Sequence, residues 1–422
     1  MNLRGSLRLG FLSTPLALVV SFGFLAVLLY KRVNLGITLN ATAIVLALLS
    51  LSWLDIPSII YNTTKDVLTI SVTIATFGIM LLSELYKETG IINRLSESLS
   101  RIIKNPKIVL SVLPAVIGFL PVAGGALMSA PLVDSEADKL KLRPEKKAYV
   151  NLWFRHTIFP VYPLSQVLIL AAALSATAVS SLILRNLPVV VVMVIVGYAF
   201  GFWKVSNPKS NEPCKGKNQL DSDLKDFFRA FSPILVSIIV AVGLDMVFTD
   251  FSKQGYDVLI AVTVGVIVLI AISKLSLQVF SKPLKTWGIY GITFAAYGAF
   301  LLGSVIKATG ISAIFGNLVA SGSVDTTVLL IIIPAVLGIL TASALGGVSI
   351  SIPILTGIMA LSPGMASLVY MSAYLGYVIS PTHLCLAFTA RYFRCPLGKV
   401  YKYVVPSFIV TFATVLLIYF LF

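Results

Sequence analysis

Long apolar runs separated by short polar ones recur along the whole chain. They fall near residues 10–30, 33–54, 67–86, 108–133, 149–182 and 187–203, then near 230–249, 256–273, 286–306, 326–360, 364–390 and 403–422. A run of about 20 apolar residues crosses roughly 30 Å of hydrocarbon as a helix. Segment length and the lack of period-two alternation exclude barrel strands. The pattern predicts an all-α polytopic membrane protein in two halves, residues 1–203 and 230–422, joined by a polar cytoplasmic linker at 204–229. Arg4 and Arg8 precede the first run as in a secretory signal. That run continues to Lys31-Arg32 without a small-residue cleavage site, so it reads as a transmembrane helix. Trp53, Trp203 and Trp287 sit at segment ends, where an amphipathic ring prefers the headgroup level; Trp153 lies inside a segment.

The halves resemble each other at a fixed offset. Lys87-Glu-Thr-Gly-Ile91 matches Lys307-Ala-Thr-Gly-Ile311, and Pro114-Ala-Val-Ile-Gly118 matches Pro334-Ala-Val-Leu-Gly338, both displaced by 220 residues. A glycine pair follows each, Gly124-Gly125 and Gly346-Gly347. Next comes a segment interrupted by proline, at Pro160 and Pro163 in one half and at Pro381 in the other. The chain is a duplicated unit.

Composition agrees with the membrane class and charge refines it. With 58% apolar and 12% charged residues, the chain is far more apolar than a soluble domain. The net charge of +15 would suggest nucleic acid in a soluble protein. Here it records topology. Prolines and glycines interrupt the segments at 108–133 and 326–360, so each reads as a re-entrant hairpin. If all twelve segments crossed, the two faces would carry 17 and 14 basic residues, leaving Arg155 aside. If the two hairpins return, the faces carry 25 and 6, a strong positive-inside bias. The expected topology is ten crossings, two hairpins and both termini outside, in the cell membrane. Five crossings per half make the repeats inverted.

Non-helical backbone at membrane depth survives only where protein buries it or where it lines a polar cavity. Two hairpins and two broken helices therefore suggest one midplane site, as in inverted-repeat secondary transporters. Half-helix N-termini there suit an anion, and free carbonyls suit a cation such as sodium. Arg155 and His156 precede Pro160. Arg155 is either an anion-binding or gating group, with His156 and Tyr162 nearby, or a side chain snorkelling to the cytoplasmic headgroups. His383, in Ser380-Pro-Thr382-His383, holds the related place in the second half. It either contacts substrate or carries a proton, or is a structural donor. Asp245 is a carboxylate near a helix end, a carrier of sodium or protons or an interface residue; Asp134 closes the first hairpin as a cap or a cation ligand. No GxxxxGK[ST] motif occurs. The spacing of three cysteines and two histidines gives no metal cluster, and no nucleophile–base set suggests an enzyme.

Three stretches carry a family resemblance: Gly118-Phe-Leu-Pro-Val-Ala-Gly-Gly125-Ala-Leu-Met-Ser-Ala-Pro131, Asn151-Leu-Trp-Phe-Arg155-His156, and Ser380-Pro-Thr-His-Leu-Cys385. Over nearly the whole chain the sequence resembles an uncharacterised prokaryotic family of integral membrane proteins with a domain of unknown function. By architecture that family is similar to the ion-transporter superfamily of gluconate permeases, divalent anion–sodium symporters and sodium–proton antiporters. The resemblance implies a scaffold part, a moving transport part and a homodimer. It also implies a substrate site at the hairpin tips and helix breaks: Gly124, Gly125, Arg155, His156, Tyr162, Thr341, Ser343, Gly346, Gly347, Ser380, Thr382 and His383. Asp134, Asn151 and Asp245 are the candidate coupling-ion residues. The sequence departs from the Ser-Asn-Thr tips of sodium–carboxylate members, since Pro121-Val-Ala-Gly-Gly-Ala126 is nearly without side-chain polarity. The expected function is secondary transport of a small organic anion coupled to sodium or protons, with sodium–proton antiport as the alternative. No cofactor and no nucleic-acid partner are expected.

Overall fold

The structure, a computed structural model, describes residues 12–120, 125–206, 217–310 and 325–421, apart from the side chains of 217–219 and 249. Among these residues the fold is all helical, with no strand. The first half contains α1 (Thr14–Tyr30), α2 (Leu35–Ser50), α3 (Ile56–Lys65), α4 (Val67–Glu88), α5 (Ile91–Ile102) and α6 (Pro106–Gly118). It continues with α7 (Ala126–Lys139), α8 (Pro144–Thr157), a 3-10 turn (Phe159–Val161), α9 (Gln166–Leu174) and α10 (Val179–Phe202). The second half contains α11 (Lys217–Val247), α12 (Thr249–Lys253), α13 (Tyr256–Ser273), α14 (Leu277–Leu284) and α15 (Trp287–Ala308). After residues 311–324 come α16 (Thr326–Thr341), α17 (Ala344–Ile358), α18 (Pro363–Ile379), α19 (Leu384–Tyr392) and α20 (Leu397–Leu421).

Local chemistry sets many of these limits. Asp66 and Asp325 accept hydrogen bonds from the backbone N–H groups of Thr69 and Val328, capping α4 and α16. Gly90 and Gly310, the glycines of the repeated Lys-x-Thr-Gly-Ile motif, both take left-handed φ values, 67° and 69°. The helices before them, α4 and α15, each span 22 residues and begin 220 positions apart, 67 against 287. α6 and α16 begin at the same displacement, 106 against 326.

Seven helical stretches among the described residues are long and apolar enough to cross a membrane, compatible with a multi-pass membrane protein: α4, residues 144–174, α10, residues 220–247, α13, α15 and α20. α1, α2, α6, α16 and α17 are apolar but shorter. Large apolar side chains on α10, α13 and α20, such as Ile195, Ile267, Ile409 and Phe420, stay exposed, as suits a lipid-facing surface. Trp203 and Trp287 are exposed at helix ends. Trp153 is buried and donates through Nε1 to the Met193 carbonyl at 2.9 Å.

The sequence segments map onto this order with two corrections. The boundary between the fifth and sixth runs lies at 175–178, where Ala176 takes a left-handed φ of 54°, not at 183–186; those residues belong to α10. Residues 217–229 of the polar linker are helical and extend α11 towards its N-terminus.

Candidate functional site

Chain breaks at four places gather the polar chemistry. α6 and α7 pack together as the arms of the first interrupted segment, and α16 and α17 as those of the second, where Ala342 turns the chain in a left-handed conformation (φ 48°). α8 stops at Thr157 before Pro160 and resumes as α9; α18 stops at Ile379 before Pro381 and resumes as α19. A broken helix leaves carbonyls without intrahelical partners. Neighbouring side chains satisfy them here. Tyr374 donates to the His156 carbonyl, Tyr370 to the Phe159 carbonyl at 3.2 Å, and Asn186 Nδ2 to the Pro160 carbonyl at 3.0 Å. At the second break Tyr401 donates to the Ile379 carbonyl at 2.9 Å.

Arg155, in the last turn of α8, is 2% exposed and therefore does not snorkel. Its Nη2 donates to the Leu120 carbonyl, just past the end of α6, at 3.3 Å. Among the described residues its buried Nε and Nη1 have no hydrogen-bond partner, and no carboxylate forms an ion pair with it. Two glycines make room for it. A Cβ on Gly125 would collide with the guanidinium, and one on Gly118 would sit 2.7 Å from the Arg155 carbonyl oxygen. A buried cation without a counter-charge is costly, and an anion placed against the two free N–H edges would offset that cost.

His156 is fully buried beside it. Its Nδ1 lies 2.7 Å from the Leu152 carbonyl and its Nε2 3.2 Å from the Tyr377 hydroxyl. The His383 ring stands edge to face against it, centroids 4.9 Å apart, and packs on Tyr377 at 4.0 Å. One donor atom from each of His156, His383 and Cys385 lies within 4.8 Å of the others. These side chains could hold a metal ion, although their spacing along the chain gave no such sign.

The other candidates take distinct places. Asn151 is buried on α8; its Oδ1 accepts from Ser129, and its Nδ2 donates to the Ala126 carbonyl and to Thr389 Oγ1. It thus ties α7 and α8 of the first half to α19 of the second. Tyr162 is buried edge-on against Phe119, centroids 4.8 Å apart. Thr341 donates to the Leu337 and Ser343 carbonyls, and the Ser343 hydroxyl caps Gly346 N–H, so the second tip satisfies itself. Gly346 lies against Thr341, and Gly347 against Gly338 and Ala373. Ser380 joins that tip to the second break by donating to the Ile339 carbonyl at 2.7 Å, with the exposed Thr382 beside it. Gly124 lies outside the described residues.

Two carboxylate candidates lie apart from the cluster. Asp134 is held by Lys147, which also binds Asp138. Asp245 is half-exposed near the end of α11; Phe231 of that helix touches Phe119, and 14 residues at 1.5 Å each put Asp245 about 21 Å further along the axis. Tyr374, Tyr377 and Cys385 were not among the sequence candidates. Tyr370, Tyr374 and Tyr377 lie at helical spacing within an apolar helix, where every buried hydroxyl needs a partner, and that was the available signal.

The model of the family described as "Protein of unknown function (DUF401)" matches residues 13–422, and the chain belongs to that family. No curated protein matches it.

Proposed function

We propose that this member of the family is a secondary active transporter. It carries a small, carboxylate-like organic anion across the cell membrane by alternating access, coupled to sodium or protons. One observation carries the reading: Arg155 is buried at the junction of a hairpin tip and a helix break, with two donor nitrogens unpaired and no counter-ion among the described residues.

The reading includes ten crossings: α1, α2, α4, the broken pair α8–α9, α10, α11, α13, α15, the broken pair α18–α19, and α20. The pairs α6–α7 and α16–α17 are the re-entrant hairpins, and the two halves are inverted copies with both termini outside, acting as a homodimer. Helix limits repeated at an offset of 220 support the duplication. Reciprocal packing supports it further. The second arm of each hairpin packs on the resumed helix of the other half, α7 on α19 and α17 on α9. Likewise α2 packs on α15, and α4 on α13.

The sodium–proton antiport alternative would place a free carboxylate beside the helix breaks. Of its two candidates, Asp134 is engaged by Lys147 and Asp245 lies far along α11 from the cluster, which favours the anion reading. Proteoliposome uptake tests the proposal: accumulation of an organic acid should follow a sodium or proton gradient and disappear in Arg155→Ala. Uptake of no anion under either gradient would overturn it.

A further inference from the structure

The transport reading uses Arg155 and leaves two features of the adjoining His156–His383–Cys385 trio without a role. The first is the way both imidazoles are held. His156 Nδ1 faces the Leu152 carbonyl at 2.7 Å, and His383 Nδ1 faces the Val378 carbonyl at 3.4 Å. A carbonyl oxygen only accepts, so each Nδ1 carries the hydrogen and each Nε2 keeps its lone pair. A backbone carbonyl on the far nitrogen is how metal-bound histidines are commonly oriented. The second is that His383 Nε2 is buried with no hydrogen-bond partner among the described residues, while the neighbouring Cys385 is a buried free thiol.

We propose that His156 Nε2, His383 Nε2 and Cys385 Sγ form a binding site for a soft or borderline cation such as Zn2+, with a fourth position open to water or an anion. Two imidazoles and a thiol select such ions over sodium, magnesium or calcium, which prefer oxygen. Bonds of about 2.0–2.1 Å to nitrogen and about 2.3 Å to sulfur put tetrahedral donors about 3.3–3.6 Å apart. The observed separations of up to 4.8 Å therefore close by on the order of 1 Å on binding. His383 sits in the non-helical break between α18 and α19, where backbone can make that shift. Tyr377 gives up its contact with His156 Nε2 and turns to an outer position. Cys385 binds as thiolate and its proton leaves to solvent, so the metal gains one negative ligand. Arg155 disfavours a second cation nearby; the thiolate and an anion at the fourth position offset that repulsion.

Cobalt(II) titration of the purified full-length protein in detergent tests the site. The expected result is one Co2+ per chain, a thiolate-to-cobalt charge-transfer band, and displacement of both by Zn2+. Cys385→Ser removes the band. His383→Ala weakens binding by at least the roughly 10–100-fold that loss of even an outer partner costs a metal site. Cys395→Ser leaves both readouts unchanged. No charge-transfer band, or Cys385→Ser and His383→Ala variants that bind as the parent does, would overturn the proposal. X-ray absorption on the zinc-loaded parent needs no variant: a shell with one sulfur supports the site, and an all-nitrogen-and-oxygen shell refutes it. None of these readouts involves an organic anion or a gradient, so this inference and the transport reading fail independently.

Discussion

The rings of His156 and His383 meet edge to face, centroids 4.9 Å apart, although one ends the helix before the first break and the other lies within the second. Hydrogen bonds extend this junction both ways. Arg155 reaches the first interrupted segment at Leu120, and Ser380 reaches the second at Ile339. The four interruptions of the chain thus form one connected polar structure. Each link makes a prediction.

Arg155→Met keeps most of the side-chain bulk and removes a buried, uncompensated charge. The ligand-free protein should melt at the same temperature or higher, by up to the about 1–4 kcal/mol gained when buried charges give way to apolar groups. Anion uptake should fall to background. A melting temperature lowered by several degrees would instead make Arg155 a structural tie.

Gly125→Ala places a methyl group in the guanidinium's space. Overpacking of this kind costs about 1–3 kcal/mol. Most of that cost should vanish when Gly125→Ala is combined with Arg155→Met, since the flexible thioether can move aside. Thermal melts of the four-member cycle measure the coupling. Additive losses would show that the contact does not shape the tip.

Asn186→Ala strips the partner from two buried groups at once, the Pro160 carbonyl and the Ser367 hydroxyl. Each buried polar group left unpaired costs about 1–3 kcal/mol. A clear drop in melting temperature is expected, larger than for an exposed position such as Asn62→Ala.

Neutralising the outlying carboxylates separates the two transport readings. Asp134→Asn and Asp245→Asn should both keep gradient-driven anion uptake. A sodium-driven pH change that needs no organic solute, and that Asp245→Asn abolishes, would favour antiport.

Cys395 lies in the short connection between α19 and α20, and its burial, reinforced by the Glu145 carboxylate, pushes the thiol above its ordinary pKa. The thiolate is the reactive form. Alkylation of Cys395 should be slow at neutral pH, and its rate should keep rising beyond the pH at which a free cysteine peptide levels off. A peptide-like profile would mean that the thiol is better solvated than its surroundings indicate.

Hydropathy located the long apolar helices but not the short α3, α5 and α14 between them, and proline located both breaks, because these signals are local. One local reading failed where a polar residue works inside a helix. Arg185-Asn186 looked like a loop, yet Asn186 belongs to α10 and uses its amide to satisfy the first break. The real turn, Ser175-Ala-Thr-Ala178, is too small and too mildly polar to stand out. Arg155 and His383 were legible as charged or titratable groups at depth. Their grouping with Cys385, and the service of Tyr374 and Tyr377, depend on contacts between residues far apart in sequence, which no local pattern encodes.

Tyr370, Tyr374 and Tyr377 lie about one turn apart along α18, and each grips a different group at or just past the end of α8: the Phe159 carbonyl, the His156 carbonyl and the His156 ring. Such a row works like the teeth of a rack. The end of α8 can move along α18 only by releasing all three hydroxyls. Motion at this junction would then be concerted, with three contacts breaking as one.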